Sequence, residues 1–494
     1  MLVVKLGMLR KIGNFVQLVL PLILVFVCTL RPPYYLDLGW HLKYGEYFFN
    51  THKVLQTNPY SSTMQNYQWA NGSWGIDLIT YLLYNHWGFW GLTIAGSITI
   101  TLTFYFFSKA LRLNFFKQAI IFPILLYLES PVNYFSFRGH QLSYLFLGIL
   151  VYLFSLFPGK RNNFIQFFLI PLLFLFWANL HRASIFGLIL YGLMIGFFLF
   201  KNIFKLKKKK YIVQVKILAL SFVLSCMATL INPFGIQVHI EALKHFNNPL
   251  LKELTEYIPL EPFTTTWVSH VLLFSGLVVL TIYWIYKRKI LEKLPIVGIP
   301  LILLLIGFQN RRYVWESYYM ALPFLAYLVV IAEQRIGKYR KLLSSLFIGA
   351  TFSLVIFINF PYSFLTKMSW ENYCKVQNYP CSSRAAEYLS THKINGKLFT
   401  FYDWGGWIIW NYPTIKPSVD GRMTLWKDED GFSAFKDYVN FTNGSKKIDK
   451  SEFDAVFIPL SGSPLYLELD QLLKDGKWKL IYEDDVSAIV VREP

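Results

Sequence analysis

The stretch NLHRASIFGLILYGLMIGFFLFKNIFKLKKKK, residues 179–210, decides the fold. Its middle, Ala183 to Phe200, carries no charge. A helix rises about 1.5 Å per residue, so about 20 apolar residues cross the hydrocarbon core of a bilayer. One end of the run carries His181-Arg182 and the other the basic residues Lys201 to Lys210. Basic clusters beside apolar runs stay in the cytoplasm. The lysine end is therefore inside and the His-Arg end outside.

Working outward, the same pattern recurs. Apolar windows lie near 13–30, 88–107, 117–132, 141–158, 164–180, 183–200, 212–231, 267–286, 293–308, 315–333 and 341–360. They predict about eleven transmembrane helices. With the N-terminus in the cytoplasm, the inner connections hold Lys109, Arg112 and Lys117, then Lys160 and Arg161, Lys201 to Lys210, Lys287 to Lys293, and Arg335 to Lys341. An odd number of spans sends the C-terminal segment outside. The N-terminal apolar run follows Lys5, Arg10 and Lys11 and ends at Arg31-Pro32-Pro33, with no small-residue cleavage site, so it reads as a retained helix rather than a signal peptide.

Composition agrees. Hydrophobic residues make up 54% of the 494 and charged ones 16%, with 45 Phe and 32 Tyr. A soluble chain would carry more charge. The net charge of +19 sits in the short clusters named above, which excludes a nucleic-acid groove as its cause.

Three segments are too polar to span: the first outer loop, 32–77; the loop near 233–265; and the tail from 362. The expected organisation is a transmembrane module over 1–361 and an extracytoplasmic domain over 362–494. In the tail, strand-like runs (Leu398–Tyr402, Ala455–Leu460, Ala488–Val491) alternate with helical ones (Ala434–Phe441, Leu465–Leu473), which predicts a small α/β domain.

The unusual polar residues collect on the outer side. In Asp37-Leu-Gly-Trp-His41-Leu-Lys-Tyr-Gly-Glu46, the residues Leu38, Leu42, Gly45 and Phe49 share a helical face, and Asp37 and His41 are four apart. The pattern predicts an amphipathic helix on the membrane surface, holding a carboxylate near the bilayer boundary. Asp77, after Trp69-Ala-Asn-Gly-Ser-Trp74, is either a second acid or the N-cap of the next helix. Short outer connections bring Arg138 and His140, His181 and Arg182, and Arg311 and Arg312. Ionisable residues at membrane depth are costly and are usually functional, and Arg pairs bidentately with phosphate. These six are candidate anion ligands; the alternative is snorkelling to lipid head groups. Glu46, Asp420 and Arg422 are further outer-face candidates, the last two within Val-Asp-Gly-Arg. Gly405 and Gly406, between two Trp residues, read as a fold-determining turn. Cys374 and Cys381 fall outside, where thiols oxidise, so they are a candidate disulfide. No Cys/His metal spacing exists, and no metal ligand is assigned.

The order of parts resembles the GT-C superfamily of membrane glycosyltransferases, which includes protein O-mannosyltransferases, aminoarabinose transferases and oligosaccharyltransferases. Asp37-x-x-Trp-His41 with Gly45-Glu46, then Pro59-Tyr-Ser, Trp69 and Trp74, is similar to an uncharacterised bacterial and archaeal subgroup, as are Gly405–Gly406 and Asp420–Arg422 in the tail. The resemblance implies a polyprenyl-phosphate sugar as donor, a glycan, lipid or protein acceptor, and the early acid, here Asp37, at the reaction centre. On this reading Asp37 is the general base, His41 orients Asp37 or contacts the sugar, Asp77 is a second acid at the cavity edge unless it is an N-cap, and the outer Arg and His residues face the donor phosphate, in the plasma membrane. Many relatives carry adjacent acids in that loop, whereas Leu38 follows Asp37 here, which puts a metal-binding acidic pair in doubt; no cofactor is assigned and a divalent metal stays open. The rival readings are a polysaccharide ligase or polymerase, a lipid-linked saccharide transporter, and a non-catalytic assembly protein. The apolar middles of the spans argue against transport.

Overall fold

In the computed structural model, the described residues are 17, 19–33, 35–130, 137–157, 164–203, 209–245, 248–359, 368–375, 380–392 and 394–493. The basic residues Lys5, Arg10, Lys11, Lys160, Arg161 and Lys205 to Lys208 lie outside them. The chain packs as two units. One comprises Met1–Arg31, Thr93–Gly235 and Leu254–Tyr362; the other comprises Pro32–Leu92, Ile236–Glu253 and Ser363–Pro494. The first loop and part of the 233–265 loop thus pack with the tail.

The first unit is helical. Within the described residues the predicted windows fall on helices, among them Gly139–Ser155, Ser184–Lys201, Thr265–Tyr286 and Ile290–Gln309, while the window 315–333 is divided between Val314–Met320 and Leu322–Ile336. Five described helices are long and apolar enough to cross a membrane, or six if Arg311–Met320 and Leu322–Ile336, bent by 44°, make one span. Others, such as Val19–Cys28 and Ile165–Leu180, are apolar but shorter. Apolar side chains such as Leu272, Val279 and Ile282 face outward, as they do on helices surrounded by lipid. Inside, small residues allow close approach: a side chain at Gly187 would overlap the Trp177 ring. Polar glue joins three helices, where the Tyr191 hydroxyl bonds Gln166 Oε1 at 2.9 Å and Ser221 Oγ at 2.8 Å.

The second unit begins with α1 (Leu38–Thr51) and the first turns of α2 (Trp74–Leu111), which breaks at Gly88, φ 56°. The tail contributes α3 (Gly405–Asn411), α4 (Ala434–Thr442), α5 (Pro464–Lys474) and four strands: β1 (Lys397–Thr400), β2 (Phe453–Pro459), β3 (Trp478–Glu483) and β4 (Ser487–Arg492). Sheet order is β1-β2-β4-β3, with β1 parallel to β2 and the other pairs antiparallel. Phe399, Phe441, Phe453, Val456 and Trp478 fill the core beneath it. Sequence patterning located β1, β2, β4, α4 and α5 but not β3. That edge strand exposes Lys479 and Leu480 and so lacks the alternating signal. Cys374 and Cys381 form a disulfide.

One expectation fails here. The first two turns of α1 are not an amphipathic surface helix. Trp40, His41 and Tyr44 are buried along with the anticipated apolar face of Leu38, Leu42 and Gly45, because the tail packs on the side expected to face water.

Candidate active site

Asp37 precedes α1, but its carboxylate does not cap the helix. Oδ1 instead accepts the Trp40 indole N–H at 2.8 Å. The backbone of Gly421 lies against the same oxygen; a Cβ there would collide with it. The tail reaches this position through glycines. A Cβ on Gly39 would strike the Gly406 carbonyl, and one on Gly406 would strike the Leu36 carbonyl. Gly405 and Gly406 are therefore not a local turn. They are the start of α3, where two backbones touch.

A second carboxylate joins Asp37. Asp403, in the 3-10 turn Tyr402–Trp404, is pushed up to about 6 by burial and then by the charge of Asp37. The buried hydroxyls of Tyr373 and Tyr402 feel Asp37 and Asp403 too, and both are raised, by burial first and then by nearby negative charge. Tyr373 also donates to the Tyr35 carbonyl, two residues before Asp37.

His41 does not contact the Asp37 carboxylate. Its Nδ1 pairs with Asp77 Oδ1, and the ring stacks on Trp40 with centroids 3.7 Å apart. Asp77 is not an N-cap: it lies in the first turn of α2, fully buried, and accepts a second bond from Asn71 Nδ2 at 2.6 Å. Asn71 in turn accepts from the Ser73 amide at 2.9 Å, which fixes its own orientation. Asn71, Asp77, His41, Trp40 and Asp37 thus form one continuous chain of oriented side chains.

Asp420 and Arg422 bury their side chains against each other. Arg422 Nε and Nη2 donate to the two Asp420 oxygens at 2.7 and 2.6 Å, and Nη1 donates to the Tyr44 hydroxyl at 2.8 Å. The Tyr44 hydroxyl is pushed up to about 12, by burial first, with the guanidinium opposing. This clamp holds the tail motif on α1 and presents Gly421 to Asp37. Glu46 pairs with Lys43 at 2.5 Å, partly exposed and outside these contacts.

In the other unit, four of the basic candidates surround His140: Arg138, His181, Arg182 and Arg312 lie within electrostatic range of its ring. Arg312 Nη2 bonds His140 Nε2 at 2.5 Å, and the rings of His140 and His181 stand 4.7 Å apart. His181 Nδ1 meets Ser143 Oγ at 2.7 Å, and Ser143 also accepts from Trp177 Nε1 at 2.8 Å. The Arg311 backbone amide bonds the Ile258 carbonyl at 3.0 Å. Arg312 also pairs with Glu256.

Sequence reasoning missed Asp403, Asn71, Tyr44 and Glu256. Asp403 lies two residues before Gly405 and Gly406, where nothing local marks it as a partner of Asp37, and Asn71 stands at Asx-turn spacing from Ser73, whose amide it accepts. Nothing local marks Glu256. Among the described residues, no group of three or more His, Cys, Asp or Glu side chains converges as a metal site. Asp37 and Asp403 supply fewer donors than a protein-only cation site needs.

No protein-family model matches the chain, and no curated protein matches it. Solved structures do. The apo oligosaccharyltransferase of Archaeoglobus fulgidus aligns over 89% of this chain and 69% of its own, at 9% identity and a TM-score of 0.52. The same enzyme tethered to an acceptor peptide containing the NVT sequon aligns over 90% and 69%, at 11% identity and a TM-score of 0.55. At such low identity the likeness is one of fold, and this chain shares its fold with the archaeal oligosaccharyltransferase.

Proposed function

We propose that this chain is a GT-C-type glycosyltransferase that moves a sugar from a polyprenyl-phosphate donor to an acceptor on the extracytoplasmic side. The supporting observation is the seating of Asp37. A half-buried carboxylate is oriented by one indole N–H, packed on a glycine, and placed beside a second acid at a point built jointly by the first loop and the tail. A carboxylate raised by burial beside a second acid is a mark of functional sites. The fold shared with an oligosaccharyltransferase agrees.

In the reaction, the acceptor oxygen or nitrogen bonds to the sugar C1 as the C1–O bond to phosphate breaks. Asp37 takes the acceptor proton as general base. The phosphate leaves with the bonding electron pair, and Arg138, Arg182 and Arg312, with His140 and His181, stabilise its charge. In-line attack inverts C1. His41 and Asp77 act through Trp40 as positioning residues: Asn71 fixes Asp77, Asp77 fixes His41, and the His41 ring braces the indole that holds Asp37. The proposal includes about eleven spans, a cytoplasmic N-terminus and an extracytoplasmic tail in the plasma membrane.

Asp37→Asn tests it. The variant should melt as the parent does in detergent yet lose transfer from a radiolabelled lipid-phosphate sugar. Full transfer by a folded Asp37→Asn protein refutes the assignment.

A further inference from the structure

Among the described residues, Arg138 Nε, the Tyr144 hydroxyl and Glu316 Oε2 are buried without a hydrogen-bond partner. They come from two elements of the first unit. Arg138 stands at the head of the helix Gly139–Ser155, which carries Tyr144, and Glu316 lies in the first turn of Val314–Met320. Tyr144 is 2% exposed and Glu316 9%. Side chains on a helix lean back toward its N-terminus, so the Tyr144 hydroxyl reaches toward Arg138. Arg138 and Glu316 both lie within electrostatic range of that hydroxyl. Another acid within its range, Glu129, is engaged elsewhere: Oε2 accepts from the Tyr319 hydroxyl at 2.9 Å.

Unpaired buried polar atoms are costly, and the chemistry of these three describes the partner that would satisfy them. The guanidinium Nε–H donates, a carboxylate accepts, and a phenol does either. A phosphate only accepts and is repelled by Glu316. A cation is repelled by Arg138. A hydroxyl both donates and accepts without charge, so a group of neighbouring hydroxyls answers all three atoms. Position names their source. Glu316 follows Arg312 by four residues, the spacing of neighbours on one helical face, and lies within range of its charge. A sugar joined through C1 to a phosphate on Arg312 carries its ring hydroxyls into that neighbourhood. We propose that Arg138, Tyr144 and Glu316 form the sugar subsite of the donor, binding ring hydroxyls of a neutral sugar whose phosphodiester is singly charged. Arg138 serves both seats, with Nε toward the sugar and its terminal nitrogens left for the phosphate. The inference rests on reading the neighbouring basic cluster as the phosphate seat.

The test uses the full chain in detergent and calorimetry with singly charged phosphodiesters: farnesyl methyl phosphate, which has no sugar, and the farnesyl phosphate esters of glucose, mannose and galactose. Wild type should bind at least one sugar ester about tenfold or more tightly than the methyl ester. Tyr144→Phe should cut that preference about three- to tenfold, and Glu316→Leu about tenfold or more, with the methyl ester bound no more weakly than by wild type. Tyr144→Phe should also leave the melting temperature of the ligand-free protein unchanged, because the lost hydroxyl bonds no described residue; an early melt marks a packing role and counts against the subsite. If Glu316→Leu does not fold, Tyr144→Phe decides alone. The subsite is overturned if wild type binds the methyl ester as tightly as every sugar ester, or if either folded variant keeps the full wild-type preference. Arg312→Gln should weaken all four ligands. If wild type does not bind the methyl ester, or Arg312→Gln binds it equally well, the phosphate reading of the cluster fails and the sugar subsite fails with it.

Discussion

Replacing Asp420 by Ala should destabilise the second unit more than any other single change in the tail motif. Both members of the Asp420–Arg422 pair have fully buried side chains, joined by two charge-assisted bonds of 2.6 and 2.7 Å. Removing the acid strands a guanidinium whose remaining side-chain bond is to the neutral Tyr44 hydroxyl at 2.8 Å. Breaking one side of such a pair costs about 3–5 kcal/mol. For a unit of this size that lowers the melting temperature by roughly 8–15 °C. The double variant Asp420→Ala/Arg422→Met buries no charge and should recover more than half of the loss, because much of the cost is the unpaired ion rather than the missing attraction. Tryptophan fluorescence melts in detergent report this directly, since Trp426 lies 5.5 Å from the Arg422 guanidinium. A single variant costing under about 1 kcal/mol, or a double variant no better than the single, would show that the clamp does not carry this energy.

Three further outcomes follow from the same geometry. Asp403 binds its proton more tightly folded than unfolded, since its carboxyl rises from 3.8 to about 6; the stability this adds is present below pH 4 and lost as pH rises through 6. Asp403→Asn should therefore gain up to about 3 kcal/mol relative to the parent at pH 7.5 and little at pH 4, read as the difference in melting temperature with pH; a gain independent of pH contradicts the burial argument. Gly39→Ala puts a methyl into the Gly406 carbonyl, a backbone atom that cannot step aside; a loss of at least about 2 kcal/mol is expected, and an unaffected melting curve would deny the contact. Asn71→Ala removes one of the two side-chain partners of buried Asp77 and should cost about 1–3 kcal/mol, with a fall in kcat at unchanged donor KM if the chain of side chains to Asp37 acts as described.

The helical windows were legible because burial in lipid imposes one simple demand, a long run without charge, and Ala183 to Phe200 satisfies it without reference to any other segment. The tail strands β2 and β4 were legible for a similar reason: both are short apolar runs bounded by turns. The site was only half legible. Asp37, His41 and Asp77 were recognised as unusual, but their pairing was not, because i, i+4 spacing favoured Asp37 with His41, whereas Asp77 reaches His41 from another helix. Spacing reports neighbours along one helix and is silent on neighbours across the fold. For the same reason Gly405 and Gly406 read as a local turn. The reason for two glycines lies at Leu36 and Gly39, hundreds of residues away.

The crossing of Gly39 with Gly406 also sets an order of events during biosynthesis. The ribosome makes the two glycines about 370 residues apart, which at 5–20 residues per second is roughly 20–70 s. Through that interval Leu38, Trp40 and Leu42, all buried in the finished unit, lack the tail that covers them. Gly421 has not yet been made, so the carboxylate of Asp37 has nothing to rest on. The proposed chemistry is thus completed last, by delivery of the tail, and a chain stalled anywhere in its helices would lack it and leave a tryptophan-bearing segment uncovered.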